Sequence, residues 1–107
     1  MDDKKIKIPK IKELNILGHR TPVQYVELDG HTRGQFMVID RIIQLDPQWI
    51  RSKYDHDFTL LHEMIHAILE MNGMANDLPL IVEHVLTDTI TNAILANFDI
   101  VQKKTNY

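Results

Sequence analysis

A chain of 107 residues, 44% apolar and 25% charged, has the composition of one small globular domain and lies far from the polar, highly charged range of disordered chains. The absence of cysteine excludes thiol nucleophiles, Cys-ligated zinc and disulfides, and a net charge of −3 argues against the basic footprint of a dedicated nucleic-acid binder. No apolar run approaches the roughly 20 residues of a membrane span, and the N-terminus has no apolar signal core, so the expected setting is the cytoplasm, without membrane partners.

From Lys5 to Lys12, lysine alternates with isoleucine around Pro9, which predicts a strand-like basic arm over residues 1–12. In an otherwise acidic chain these lysines read as edge protection rather than as a phosphate-tracking arm. Val23, Tyr25, Val26 and Leu28 form a second strand, closed by the turn signal Asp29-Gly30. Gln35 to Ile39 and Arg41 to Leu45 follow as third and fourth strands, with Asp40 between them. Asp46-Pro47 then opens a short helical segment through Trp49, Ile50 and Tyr54. These strands predict a small antiparallel meander.

The period then changes. Asp57 is the expected N-cap of a helix over Phe58 to Asn72, with Gly73 in the left-handed position that ends it. Phe58, Leu61, Ile65, Ile68, Leu69 and Asn72 share one broad stripe of it. A second helix starts near Pro79 and ends near Asn97, carrying Val82, Val85, Leu86, Ile90, Ala93 and Ile94; residues 98–107 are a tail. Strands first and two helices after give an α+β domain spanning 1–107.

His62-Glu63-Met64-Ile65-His66 is an H-E-x-x-H motif within the first helix. At 3.6 residues per turn the two histidines project from one face, away from Leu61 and Ile65, at the separation two imidazoles need to share a zinc ion. Glu63, offset from that line, can act as general base on the water that such a metal activates. A catalytic zinc takes a third protein ligand, for which the second helix offers Glu83 and His84. His84 is preferred, because Asp88 four residues on can orient its imidazole and Thr87 is small enough to let the helices approach. Elsewhere, His19 and His31 sit beside turns and read as surface residues. Tyr54 and His56 precede the motif as candidate oxyanion stabilisers, while Met64, Met71 and Met74 read as core filling.

The run Thr59 to Leu69 around the motif, preceded by a small meander and followed by a ligand helix, resembles the minimal zincin metallopeptidase domains of phages and prophages, of which the ImmA/IrrE-like and SprT-like groups are the nearest. The resemblance implies a zinc peptidase with His62 and His66 as ligands, Glu63 as catalytic base, Zn2+ as cofactor and a protein or peptide as substrate. SprT-like domains use a third histidine, which suits His84, although Val85 stands where those domains usually have glycine. In ImmA/IrrE-like domains the third ligand is usually an acid with a small residue and Asn or Asp three and four places on, the places of Thr87 and Asp88 here. The resemblance also implies an edge strand, here within Gln35 to Leu45, that pairs with an extended substrate. A rival from another class is a zinc-stabilised protein-binding module that regulates a partner without cutting it and has no need of Glu63.

Overall fold

The computed structural model describes residues 10–103 as a four-stranded sheet packed on two helices. The strands are β1 (Glu13–Ile16), β2 (His19–Tyr25), β3 (Gly34–Met37) and β4 (Ile42–Leu45). The helices are α1 (Lys53–Met71) and α2 (Leu80–Asn97), with short 3-10 turns at Pro47–Trp49 and Met74–Asn76. No helix among the described residues is long and apolar enough to cross a membrane.

The α+β class is as expected, but the sheet is mixed, in the order β1-β2-β4-β3, and not an antiparallel meander. β1/β2 and β3/β4 are antiparallel, and β4 lies parallel to β2. The chain from Val26 to Arg33 carries β3 past its neighbour, so that β4 returns between β2 and β3. Buried Asp46 fixes this arrangement: its carboxylate accepts from the Leu28 N–H at 3.0 Å and its own N–H donates to the Arg33 carbonyl at 2.8 Å. Asp29 holds the outer bend, accepting from the N–H groups of His31 and Thr32.

Most of the expected basic arm, residues 1–9, lies outside the described residues. Lys10 to Lys12 are not in a strand; Ile11 is buried, and the strand that precedes β2 is Glu13–Ile16. A two-residue turn joins β1 to β2, with Leu17 and Gly18 both at positive φ, the geometry that suits a twisted hairpin. Pro22 is tolerated in β2 because the Val23 N–H donates to the Lys12 carbonyl, making Glu13/Pro22 a pair that exchanges no hydrogen bonds.

Helix α1 begins five residues before the expected Phe58. Ser52, not Asp57, is its N-cap: the Ser52 hydroxyl accepts from the Asp55 N–H, and Asp55 reaches back to the Arg51 N–H. Asp57 is buried inside the first turns, bonded to Lys53 and, at 2.9 Å, to His56 Nδ1. Tyr54 therefore belongs to α1, where it is exposed beside Phe58, and the preceding helical turn stops at Trp49.

Helix α1 is the central element. On one side Leu60 and Ala67 pack with Ile16, Val23, Ile43 and Leu45 of the sheet; on another, Leu61, Ile65 and Leu69 meet Ile94 and Leu95 of α2. Met64 and Met71 join these clusters, whereas Met74 is exposed. Phe58 leaves the expected apolar stripe and, with His62, His66 and Glu70, lines a third side of the helix that faces a cleft. Helix α2 presents Glu83, Thr87 and Thr91 inward and leaves Val82, Val85, Leu86 and Ile90 exposed, the reverse of the face its apolar periodicity suggests.

Candidate metal centre

Phe58, His62, His66 and Glu70 recur every fourth residue and so form one rail along α1. This rail, the start of α2 and strand β3 enclose a cleft of about 460 Å3. The wall formed by β3 is brought close by Gly34: a Cβ there would lie 2.8 Å from Thr59 Cγ2 and 3.0 Å from Leu45 Cδ2. Any side chain at this position would push β3 away from the helix one turn before the motif.

Within the cleft, His62, His66 and His84 each offer a ring nitrogen, and these three atoms lie within 4.8 Å of one another. His62 Nε2 and His66 Nε2 are 3.1 Å apart, close to the ~3.3 Å between donors around a tetrahedral zinc with bonds near 2.05 Å. The His84 ring meets the His66 ring edge-on at 5.3 Å. The structure thus brings together all three histidines expected as metal ligands.

The surrounding carboxylates take different roles from those expected of them. Glu83, weighed as an alternative ligand, is buried and sits 2.6 Å from His66 Nδ1, a contact that holds the Nδ1–H tautomer and directs Nε2 into the cleft. Asp88 approaches His62 Nδ1 at 3.0 Å rather than orienting His84. This contact is off the line of a good hydrogen bond, so Asp88 acts on His62 through charge more than through directed bonding. Both imidazoles of the motif have their Nδ1 sides turned to carboxylates and their Nε2 atoms turned to each other. Such a donor set fits a divalent cation that favours imidazole nitrogen, zinc foremost.

Burial, and then the neighbouring His66, hold His62 below the ordinary histidine range, with Asp88 pulling the other way. Glu63 is 8% exposed and lines the same cleft. With only burial acting on it, its carboxyl is pushed up to about 7. A carboxylate poised there is suited to exchanging a proton near neutral pH.

Two expected contributors are elsewhere. His56 is buried on the far side of α1, its Nε2 2.8 Å from the Tyr25 hydroxyl, and takes no part in the cleft. Tyr54 likewise does not line it. The expected edge strand Gln35 to Leu45 resolves into β3, which is at the sheet edge, and β4, which is paired on both sides; Ile39 is 95% exposed in the turn between them. His19 and His31 are exposed, as expected. Phe36 and Val38 line the cleft from within the stretch expected to pair with substrate, whereas Arg33 and Glu70 are missed; of these two only Glu70 carried a signal, the four-residue spacing from His66. The chain matches no protein-family model, no curated protein and no solved structure.

Proposed function

We propose that this chain is a zinc-dependent peptidase of minimal zincin type, acting on protein or peptide substrates in a cytoplasmic setting. The observation that supports it most is the convergence of His62, His66 and His84 nitrogens within 4.8 Å in a cleft that also holds a buried, unpaired Glu63. His62, His66 and His84 would hold the ion through three imidazole nitrogens, the number of protein ligands that a catalytic zinc takes. Zinc bound there supplies Lewis acidity, bringing the pKa of water down towards 7 and polarising a carbonyl.

The remaining work falls to residues of the chain. Glu63 accepts the proton of the attacking water and, once protonated, can return it to the departing amine. Glu83 keeps the His66 ring fixed through its 2.6 Å contact, and Asp88 offsets the charge at His62. The edge strand β3, set against the cleft by Gly34, offers backbone groups to an extended peptide, a mode that needs little side-chain recognition. Glu70, which lines the cleft, lies one helical turn beyond His66.

The test is elemental analysis of the purified chain beside His62→Ala, His84→Ala and Glu83→Ala, followed by turnover of a peptide library with wild type and Glu63→Gln. One zinc per chain, lost in both histidine variants and only weakened in Glu83→Ala, is the expected pattern. Turnover that disappears in Glu63→Gln while zinc remains completes it. A chain that takes up no zinc when supplied refutes the proposal, and one that binds zinc without cleaving any peptide leaves the non-catalytic binding module in its place.

A further inference from the structure

Helix α2 is apolar on the wrong side for a lone domain. Its most buried residues, Glu83, Thr87 and Thr91, are polar, and Ile94 and Leu95 give the apolar contact to α1, while Leu80, Ile81, Val82, Val85, Leu86 and Ile90 are left with 36% to 73% of their surface exposed. That is on the order of 500 Å2 of apolar surface on one element, the size of the largest, often functional, patch of a monomer and more than half of the ~800 Å2 each partner contributes to a standard interface. A helix apolar on its outer face as well as near its ends belongs between two layers, and among the described residues only one layer, α1, packs on it.

The arrangement of that face points to its occupant. Between Lys53 and Lys103 there is no lysine or arginine, and the outward stripe of α2 bears no charge. Anionic lipid, nucleic acid or a charged protein surface would find nothing complementary on it, whereas a second copy meets it without repulsion. Val82, Val85, Thr89, Ala93 and Ala96 follow at spacings of three, four, four and three, so the stripe is palindromic about Thr89. Its bulk is graded as well, with valines at the N-terminal end and alanines at the C-terminal end. In an antiparallel pair Val82 falls opposite Ala96, Val85 opposite Ala93 and Thr89 opposite itself, so each large side chain meets a small one. A hollow of about 350 Å3 over Val82, Val85 and Thr89 leaves room for the partner's side chains.

We propose that two copies of this chain associate through α2 in an antiparallel, two-fold symmetric pair centred on Thr89. Such isologous closure is the commonest form of assembly, and it covers the helix that carries His84 without entering the cleft.

Sedimentation equilibrium of the full chain from low to high micromolar concentration tests this. The expected mass is twice 12.5 kDa at the upper end, falling towards the single-chain value on dilution. Val85→Glu should weaken association by about tenfold or more, because it places two unpaired carboxylates in the seam, with helix content by circular dichroism unchanged. Since the chain has no cysteine, single introductions report the axis: Thr89→Cys should crosslink to itself under mild oxidation, and Val82→Cys should crosslink to Ala96→Cys but not to itself. A single-chain mass at every concentration overturns the proposal, as does association that Val85→Glu leaves intact. Self-crosslinking of Val82→Cys as fast as that of Thr89→Cys overturns the antiparallel arrangement.

Discussion

Glu63→Gln separates the electrostatics of the cleft from its chemistry. In the metal-free protein burial raises the Glu63 carboxyl from 4.5 to about 7, so ionising it costs more in the folded state than in the unfolded chain. The sign follows: the unfolded state releases this proton first, and the associated stability, complete below pH 4.5, is lost as pH rises to about 7. Glutamine has nearly the same shape and no proton to lose. At 1.36 kcal/mol per pKa unit, the variant should gain about 2.5 kcal/mol relative to wild type between pH 5 and pH 8. The difference between the two proteins isolates Glu63, because His62, which titrates in the opposite sense, is common to both. Urea unfolding of chelator-treated protein at both pH values gives the quantity directly. A stability difference independent of pH would refute the assignment of Glu63 as a buried carboxylate without a partner. Turnover that survives the substitution would separately refute its role as base.

The two carboxylates behind the motif should differ in weight. Glu83→Ala removes a buried 2.6 Å contact to His66 and is expected to weaken zinc binding by about 10–100-fold in a competition titration with a chromophoric chelator. Asp88→Ala removes a misaligned contact from a side chain that is 54% exposed, and its effect should fall below that range; equal losses would mean that the His62 contact is stronger than its geometry implies. Gly34→Ala forces a Cβ against Thr59 Cγ2 and the Gln44 carbonyl, costing roughly 1–3 kcal/mol by urea unfolding. Adding Thr59→Ser removes the 2.8 Å clash and should restore part of the loss, which an effect of backbone freedom alone would not show.

What was legible in the sequence is what local periodicity controls. The motif, the ends of α2 and the β3/β4 hairpin all follow from spacing within an element or a short segment, whereas His84 is legible only by its place on α2 and meets His62 and His66 only through the packing of the two helices. The start of α1 was also readable, since Ser52 and Asp55 have capping-box spacing. It escapes a reading by apolar period because Lys53 to Asp57 are polar and His56 is buried only by meeting Tyr25, far away in sequence. Strand order escapes for the same reason. Whether β4 lies beside β2 depends on Asp46 joining Leu28 and Arg33 across the sheet, and no residue near Asp46 signals it.

The rotation of α2 is the deepest of these non-local choices, and magnitudes show what it requires. Turning Val82, Val85, Leu86 and Ile90 inward would bury on the order of 300 Å2 of apolar surface, worth up to about 7 kcal/mol at 25 cal/mol per Å2. The observed rotation gives instead the buried contact of Glu83 to His66, worth about 1.5–3 kcal/mol, and the exposed, misaligned approach of Asp88 to His62, worth about 1 kcal/mol or less. Those contacts alone do not outweigh the burial forgone. Under the two proposals made above, a metal ion held by the three histidines that this rotation brings together, and a second copy covering the face that it leaves outside, would act in the same direction. The orientation of α2 therefore couples the two proposals. A chain stripped of metal should self-associate differently from a loaded one, because the same helix carries His84 inward and Val85 outward.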